Sequence, residues 1–259
     1  MNIANSTLAT MSFEIRRSLT IQRIMVASIL AAFPPAMITV IGLSGHEIPL
    51  HDLLILILVS IVAILAQLLW ATTNVYSELE AKSWIFLASR PRGRIALFLG
   101  KYLSSVLFSF TVCSIAISLC LILRTYIRST EVNPFLTWLG MLGSAFLGCM
   151  TYSAIFSVFG TIFHKRAMVF GAAYIIFSEI VMANVPAIIS NFTARFHLQL
   201  ITAKWVGWFL PIPEKQFIQI YGEPYFGFNL ACIIGAILLL LAAGCVIVTS
   251  REYITSEEA

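Results

Sequence analysis

Glu179 is the residue whose position asks most for a chemical explanation. It lies near the middle of an apolar run, Met168 to Ile189, where an ionised carboxylate costs about 2.5–3.5 kcal/mol on insertion scales. Such a group must be protonated, paired or facing water. Two readings follow: a pore-lining or gate residue, or a helix-to-helix hydrogen bond to a polar neighbour such as Gln67 or Tyr174. Asn184 and Pro186, just beyond it, would break the helix near its outer end, since proline removes a donor and distorts the turn. Other chemistry is missing from the pattern. Gly93 to Gly100, followed by Lys101 and Tyr102, has neither the spacing of a phosphate-cradling loop nor the hydroxyl after its lysine. No Ser/His or Asp/Asp pair assigns a catalytic role, and His46, His51, His164 and His197 are scattered over predicted loops. Cys113, Cys120, Cys149, Cys232 and Cys245 lack metal-ligand spacing and read as packing residues.

The elements that carry these residues are set by composition. Of 259 residues, 59% are hydrophobic and 11% charged, with a mean hydropathy of +0.93. Soluble domains hold about 25% charged residues. Because hydrocarbon offers no hydrogen-bond partners and the apolar runs do not alternate, the fold class is an all-α integral membrane protein. A span needs about 20 apolar residues, and six stretches qualify: Ile24 to Leu43, Leu53 to Thr73, Tyr102 to Leu123, Phe135 to Phe163, Met168 to Ile189 and Phe226 to Thr249. The chain reads as one transmembrane domain without internal repeats. Of its 16 Lys and Arg residues, eleven fall on one side of such a topology, which places both termini in the cytoplasm. The positive net charge reflects this bias and not a nucleic-acid surface.

Three pieces lie outside the spans. Thr7 to Arg23 repeats Leu8, Met11, Ile15 and Leu19 at helical spacing, the pattern of an amphipathic helix on the inner membrane face. Asn74 to Lys101 is the largest cytoplasmic segment and carries Glu78, Glu80, Lys82, Trp84, Leu87, Arg90, Arg92 and Arg94. Glu78, Glu80 and Lys82 would make solvent-rim contacts with a partner while Trp84 and Leu87 anchor in an apolar cleft; the arginines would dock as well or contact anionic lipid. Ser190 to Tyr225 is too apolar for a solvated loop and reads as short helices dipping back toward the membrane, a re-entrant hairpin ended by Pro211 and Pro213. Gly140, Ser144 and Gly148 give the fourth span a small-residue face, for packing within the chain or between copies.

Glu78-Leu79-Glu80, Trp84, Leu87, Ala88, Ser89-Arg90-Pro91, Arg94 and Gly100-Lys101 resemble the pattern that joins the second and third spans of ATP-binding-cassette type-2 transporter permeases. The likeness extends to the basic N-terminal helix, the six-span layout, the glutamate in the fifth span and the apolar hairpin before the sixth. Lys82-Ser83-Trp84 departs from it, standing where a small residue or threonine is usual. The resemblance implies a coupling helix at Glu78 to Ser89, a second permease copy or paralogue, and a separate dimeric ATPase that holds ATP and Mg. It also implies contact with membrane lipid, periplasmic or membrane accessory proteins, a bacterial plasma-membrane location and export driven by the partner's hydrolysis. A secondary transporter or channel, or a membrane subunit that passes force to other proteins without transport, are the alternatives the sequence leaves open.

Overall fold

The computed structural model describes residues 3–43, 50–72, 78, 93–127, 134–163, 166–182, 191–206 and 225–251. All regular elements among them are helical: α1 (Ile3–Ser18), α2 (Ile21–Leu43), α3 (Leu50–Ala71), α4 (Gly93–Ile127), α5 (Pro134–Ile162), α6 (Ala167–Tyr174), a π-helix (Ile175–Val181) that continues α6, α7 (Ala194–Val206) and α8 (Phe226–Ser250). Among the described residues, four stretches are long and apolar enough to cross a membrane, Ile21–Val40, Gly93–Leu123, Pro134–Ile162 and Phe226–Ser250. Two shorter apolar helices, Ser60–Ala71 and Ala167–Val181, stand where the second and fifth spans are expected.

Helices α4 and α5 form the centre. Against α4 pack α1, α2, α3 and α8, and against α5 pack α3, α6, α7 and α8. The buried core joins Val62 and Ala66 of α3, Cys113 and Ile117 of α4, and Cys149, Tyr152 and Phe156 of α5. Hydroxyl groups stitch the same helices together, as Ser105 and Ser153 meet at 2.5 Å. With apolar side chains also stable in lipid, such polar contacts and close backbone approach hold membrane helices to one another. At Gly160 an added Cβ would come within 2.8 Å of the Thr72 carbonyl oxygen, so α3 and α5 meet there backbone to backbone. Gly148 packs on Leu198 of α7, which uses the small-residue face of the fourth span inside the chain.

The N-terminal helix and the third span differ from their expected bounds. α1 begins at Ile3 and ends at Ser18, before the first span starts at Ile21. Its apolar Leu8 and Phe13 are exposed, Met11 and Ile15 are half-buried, and its fully buried residues are polar: Thr7, Glu14 and Ser18. The third long helix starts at Gly93, nine residues before Tyr102, because its two early cations, Arg94 and Lys101, are met by partners described below. From the outer stretch, α7 is described, with Leu198, Leu200 and Ile201 buried; residues 207–224, including Pro211 and Pro213, lie outside the described residues.

Candidate functional site

Two buried polar centres stand apart from the apolar packing. The first lies at the basic end of the bundle. Lys101 of α4 donates to Glu78 Oε1 at 2.7 Å, and Arg17 Nη1 of α1 donates to the same oxygen at 2.7 Å. Glu14 Oε1 lies 3.5 Å from Lys101 Nζ and 3.6 Å from Arg17 Nη1. Two acids and two bases thus alternate, and Glu78 and Lys101 are only 3% and 2% exposed. Lysine and glutamate are almost never buried unless paired. Glycine makes the approach possible: a Cβ at Gly100 would stand 2.7 Å from Thr10 Cβ and 3.0 Å from the Thr7 carbonyl oxygen. Gly100 therefore admits α1, and Lys101 one residue on reaches the acids that α1 and position 78 bring.

This arrangement corrects the reading of Glu78 as a solvent-rim contact. A lysine buried against α1 needs a carboxylate at hydrogen-bond distance, and desolvating it alone would cost several kcal/mol. Glu80, Lys82, Trp84, Leu87 and Arg90 lie outside the described residues. Arg94, expected to meet a partner or lipid, donates to the Thr249 carbonyl at 3.2 Å. Arg251 in turn donates to the carbonyls of Ile162 and Thr161. Each arginine sits at the C-terminal end of a long helix, α8 and α5 respectively, where unpaired carbonyls carry partial negative charge. The quartet and these two caps tie α1, α4, α5 and α8 together at one end.

The second centre surrounds Glu179, which is 1% exposed. Tyr152 of α5 donates to its Oε2 at 2.9 Å and Tyr174 to its Oε1 at 3.2 Å. Tyr174 precedes Glu179 by five residues, about 140° apart around an α-helix; π winding, which bonds i to i+5, brings them onto one face. Arg195 of α7 donates to the Glu179 main-chain carbonyl at 2.9 Å. Phe156 and Phe159 pack edge-on against Tyr174. A cavity of about 40 Å³ lies beside Tyr152 and Arg195, lined also by Ser60, Ser144, Gln199 and Thr202. Ala63, Met141, Ala145 and Leu198 line it as well, and it has room for a few waters.

Of the two expected partners of Glu179, Tyr174 is present and Gln67 is not. Gln67 donates instead to the Cys149 carbonyl at 3.0 Å, and its own Oε1 is buried without a hydrogen-bond partner among the described residues. Asn184 and Pro186 lie outside the described residues. Tyr152 and Arg195 escaped the sequence reading because nothing in their spacing points across to the fifth span. His197, read as a loop residue, lies on α7 and bonds Asn229 of α8.

No protein-family model matches the chain, and no curated protein matches it. The functional reading therefore rests on these two centres and on the sequence pattern around the first.

Proposed function

We propose that this chain is the membrane permease subunit of an ATP-driven transporter of the ATP-binding-cassette type-2 kind. In this reading it crosses a bacterial plasma membrane six times, keeps both termini in the cytoplasm and pairs with a second permease copy or paralogue. A separate ATPase holds ATP and Mg and performs the hydrolysis, and the transport direction is outward. The observation that carries the reading is the buried quartet of Glu14, Arg17, Glu78 and Lys101. It joins an interfacial helix, the start of the cytoplasmic segment and the first turns of α4, so motion imposed on that segment by a partner would be passed to α1 and α4 together. A surface loop without such ties would move alone.

The test is mild-detergent affinity purification of the wild-type chain and of a Trp84→Ala, Leu87→Ala variant. The wild type is expected to bring down a Walker-motif ATPase, and the variant to lose it while its elution profile stays that of a folded bundle. Retained ATPase binding in the variant would remove the docking site from this segment; absence of any ATPase from the wild type would remove the permease reading.

The Glu179 centre supports a second reading, a secondary transporter or channel, because a buried carboxyl with an arginine on its main-chain carbonyl is the kind of intramembrane ionisable group that ion pathways use. A subunit that transmits force to partner proteins without transport would share the quartet. Substrate-dependent ATP turnover separates these readings from the first.

A further inference from the structure

Arg195 touches the Glu179 centre only through a main-chain carbonyl. Its guanidinium is always charged and carries five N–H donors, and its one hydrogen bond among the described residues goes to a neutral acceptor, the Glu179 carbonyl oxygen, at 2.9 Å. No described carboxylate lies within ion-pair distance of it. The acid close by, Glu179, already takes a phenol hydroxyl on each carboxyl oxygen, from Tyr152 and Tyr174. An arginine at the level of that π-helix calls for a counter-charge.

Gln199 follows Arg195 by four residues on α7, so the two share one face of the helix. Gln199 makes no hydrogen bond among the described residues, although it is half-buried. Both side chains line the cavity of about 40 Å³ that α7 closes against Ser60 of α3 and Ser144 and Tyr152 of α5. Three hydroxyls around it have already given their protons away: Ser144 to the Met141 carbonyl, Tyr152 to Glu179 and Thr202 to the Leu198 carbonyl. The donors left to the cavity are the other N–H groups of Arg195 and the amide of Gln199.

A cavity that holds unused donors beside a permanent positive charge selects an anion. Water would meet the donors and leave the charge uncompensated, and that charge acts strongly where the dielectric is low. Size narrows the choice. At about 10–15 Å³ for each water-sized site, the cavity takes a monatomic ion or one of similar bulk. Ala63, Met141, Ala145 and Leu198 in the walls offer no hydration, which favours a single charge that sheds water readily over a divalent oxyanion.

We propose that this cavity binds a chloride-sized monovalent anion between Arg195 and Gln199, pinning α7 to α3 and α5. The site goes beyond the permease reading and is independent of it, since it is present whether or not an ATPase docks.

The test titrates the purified full chain in detergent with radiolabelled chloride at constant ionic strength, with binding read by scintillation proximity. Saturable binding is expected, displaced by bromide and nitrate and not by sulfate or gluconate. Gln199→Leu removes an amide that bonds nothing else among the described residues, so it should keep the fold and weaken binding about tenfold, the worth of one hydrogen bond to a charged group. Arg195→Gln should abolish binding. If that variant fails to assemble, because Arg195 also holds the Glu179 carbonyl, Gln199→Leu and the anion selectivity of the wild type still decide. Binding that never saturates, that sulfate displaces as well as bromide does, or that Gln199→Leu leaves unchanged would overturn the site.

Discussion

The two buried polar centres solve one problem in opposite ways. At the basic end, Glu78 meets Arg17 and Lys101, 61 and 23 residues away in sequence, and every described charge in the quartet has a counter-charge. Within the bundle, Glu179 meets two phenols, and the arginine nearest it donates to its main-chain carbonyl and not to its carboxyl. Ion pairs join α1, position 78 and α4 at one end of the bundle, whereas phenol hydroxyls hold the lone carboxyl between α5 and the π-helix. A buried ion pair is costly to form and costlier to break by halves. The first centre is thus an all-or-nothing joint, and the second is one whose members can be removed one at a time.

That contrast can be broken experimentally. The largest effect is expected from Lys101→Ala, which removes the buried cation of the quartet and leaves Glu14 and Glu78 sharing Arg17, and should destabilise the protein by about 3 kcal/mol, the low end for breaking a buried pair; thermal unfolding in detergent, followed by tryptophan fluorescence, would read it. Removing both members of the pair as Glu78→Gln with Lys101→Met should cost much less than the sum of the single changes. Gly100→Val would force α1 off α4, with a loss of about 1–3 kcal/mol for overpacking, seen as faster proteolysis within residues 3–18. Tyr152→Phe leaves Glu179 Oε2 without its donor and should cost about 1–3 kcal/mol, with Tyr174→Phe costing less because its bond is longer. Arg251→Ala is expected to be mildest, about 0.3–1 kcal/mol for a cation at a helix C-terminus. A Tyr152→Phe loss larger than that of Lys101→Ala would reverse the ranking of the two centres.

The helices were legible because hydropathy alone writes them: α2, α4, α5 and α8 fall where long apolar runs stand. Partners were legible only where they were local. Tyr174, five residues before Glu179, is a local partner that the sequence offers, although the π winding that makes the pair is not written in it. Tyr152 and Arg195 come from other helices, and no periodicity carries that information. The amphipathic pattern of residues 7–23 announced a helix on a membrane surface but could not say that its polar stripe would be the one packed on α4. Glu78 reads as a surface acid because the segment around it is charged; its tie to Lys101 depends on the close approach of α1 at Gly100, which no spacing in the sequence shows.

The most direct test of the account is ATP turnover of the purified assembly, comparing the wild-type chain with the Glu78→Gln, Lys101→Met double variant. The ATPase is expected to co-elute in equal copy number with the variant, and its turnover no longer to respond to the permease. Unchanged, permease-dependent turnover in the double variant would contradict the claim that the buried quartet links the partner's motion to the bundle.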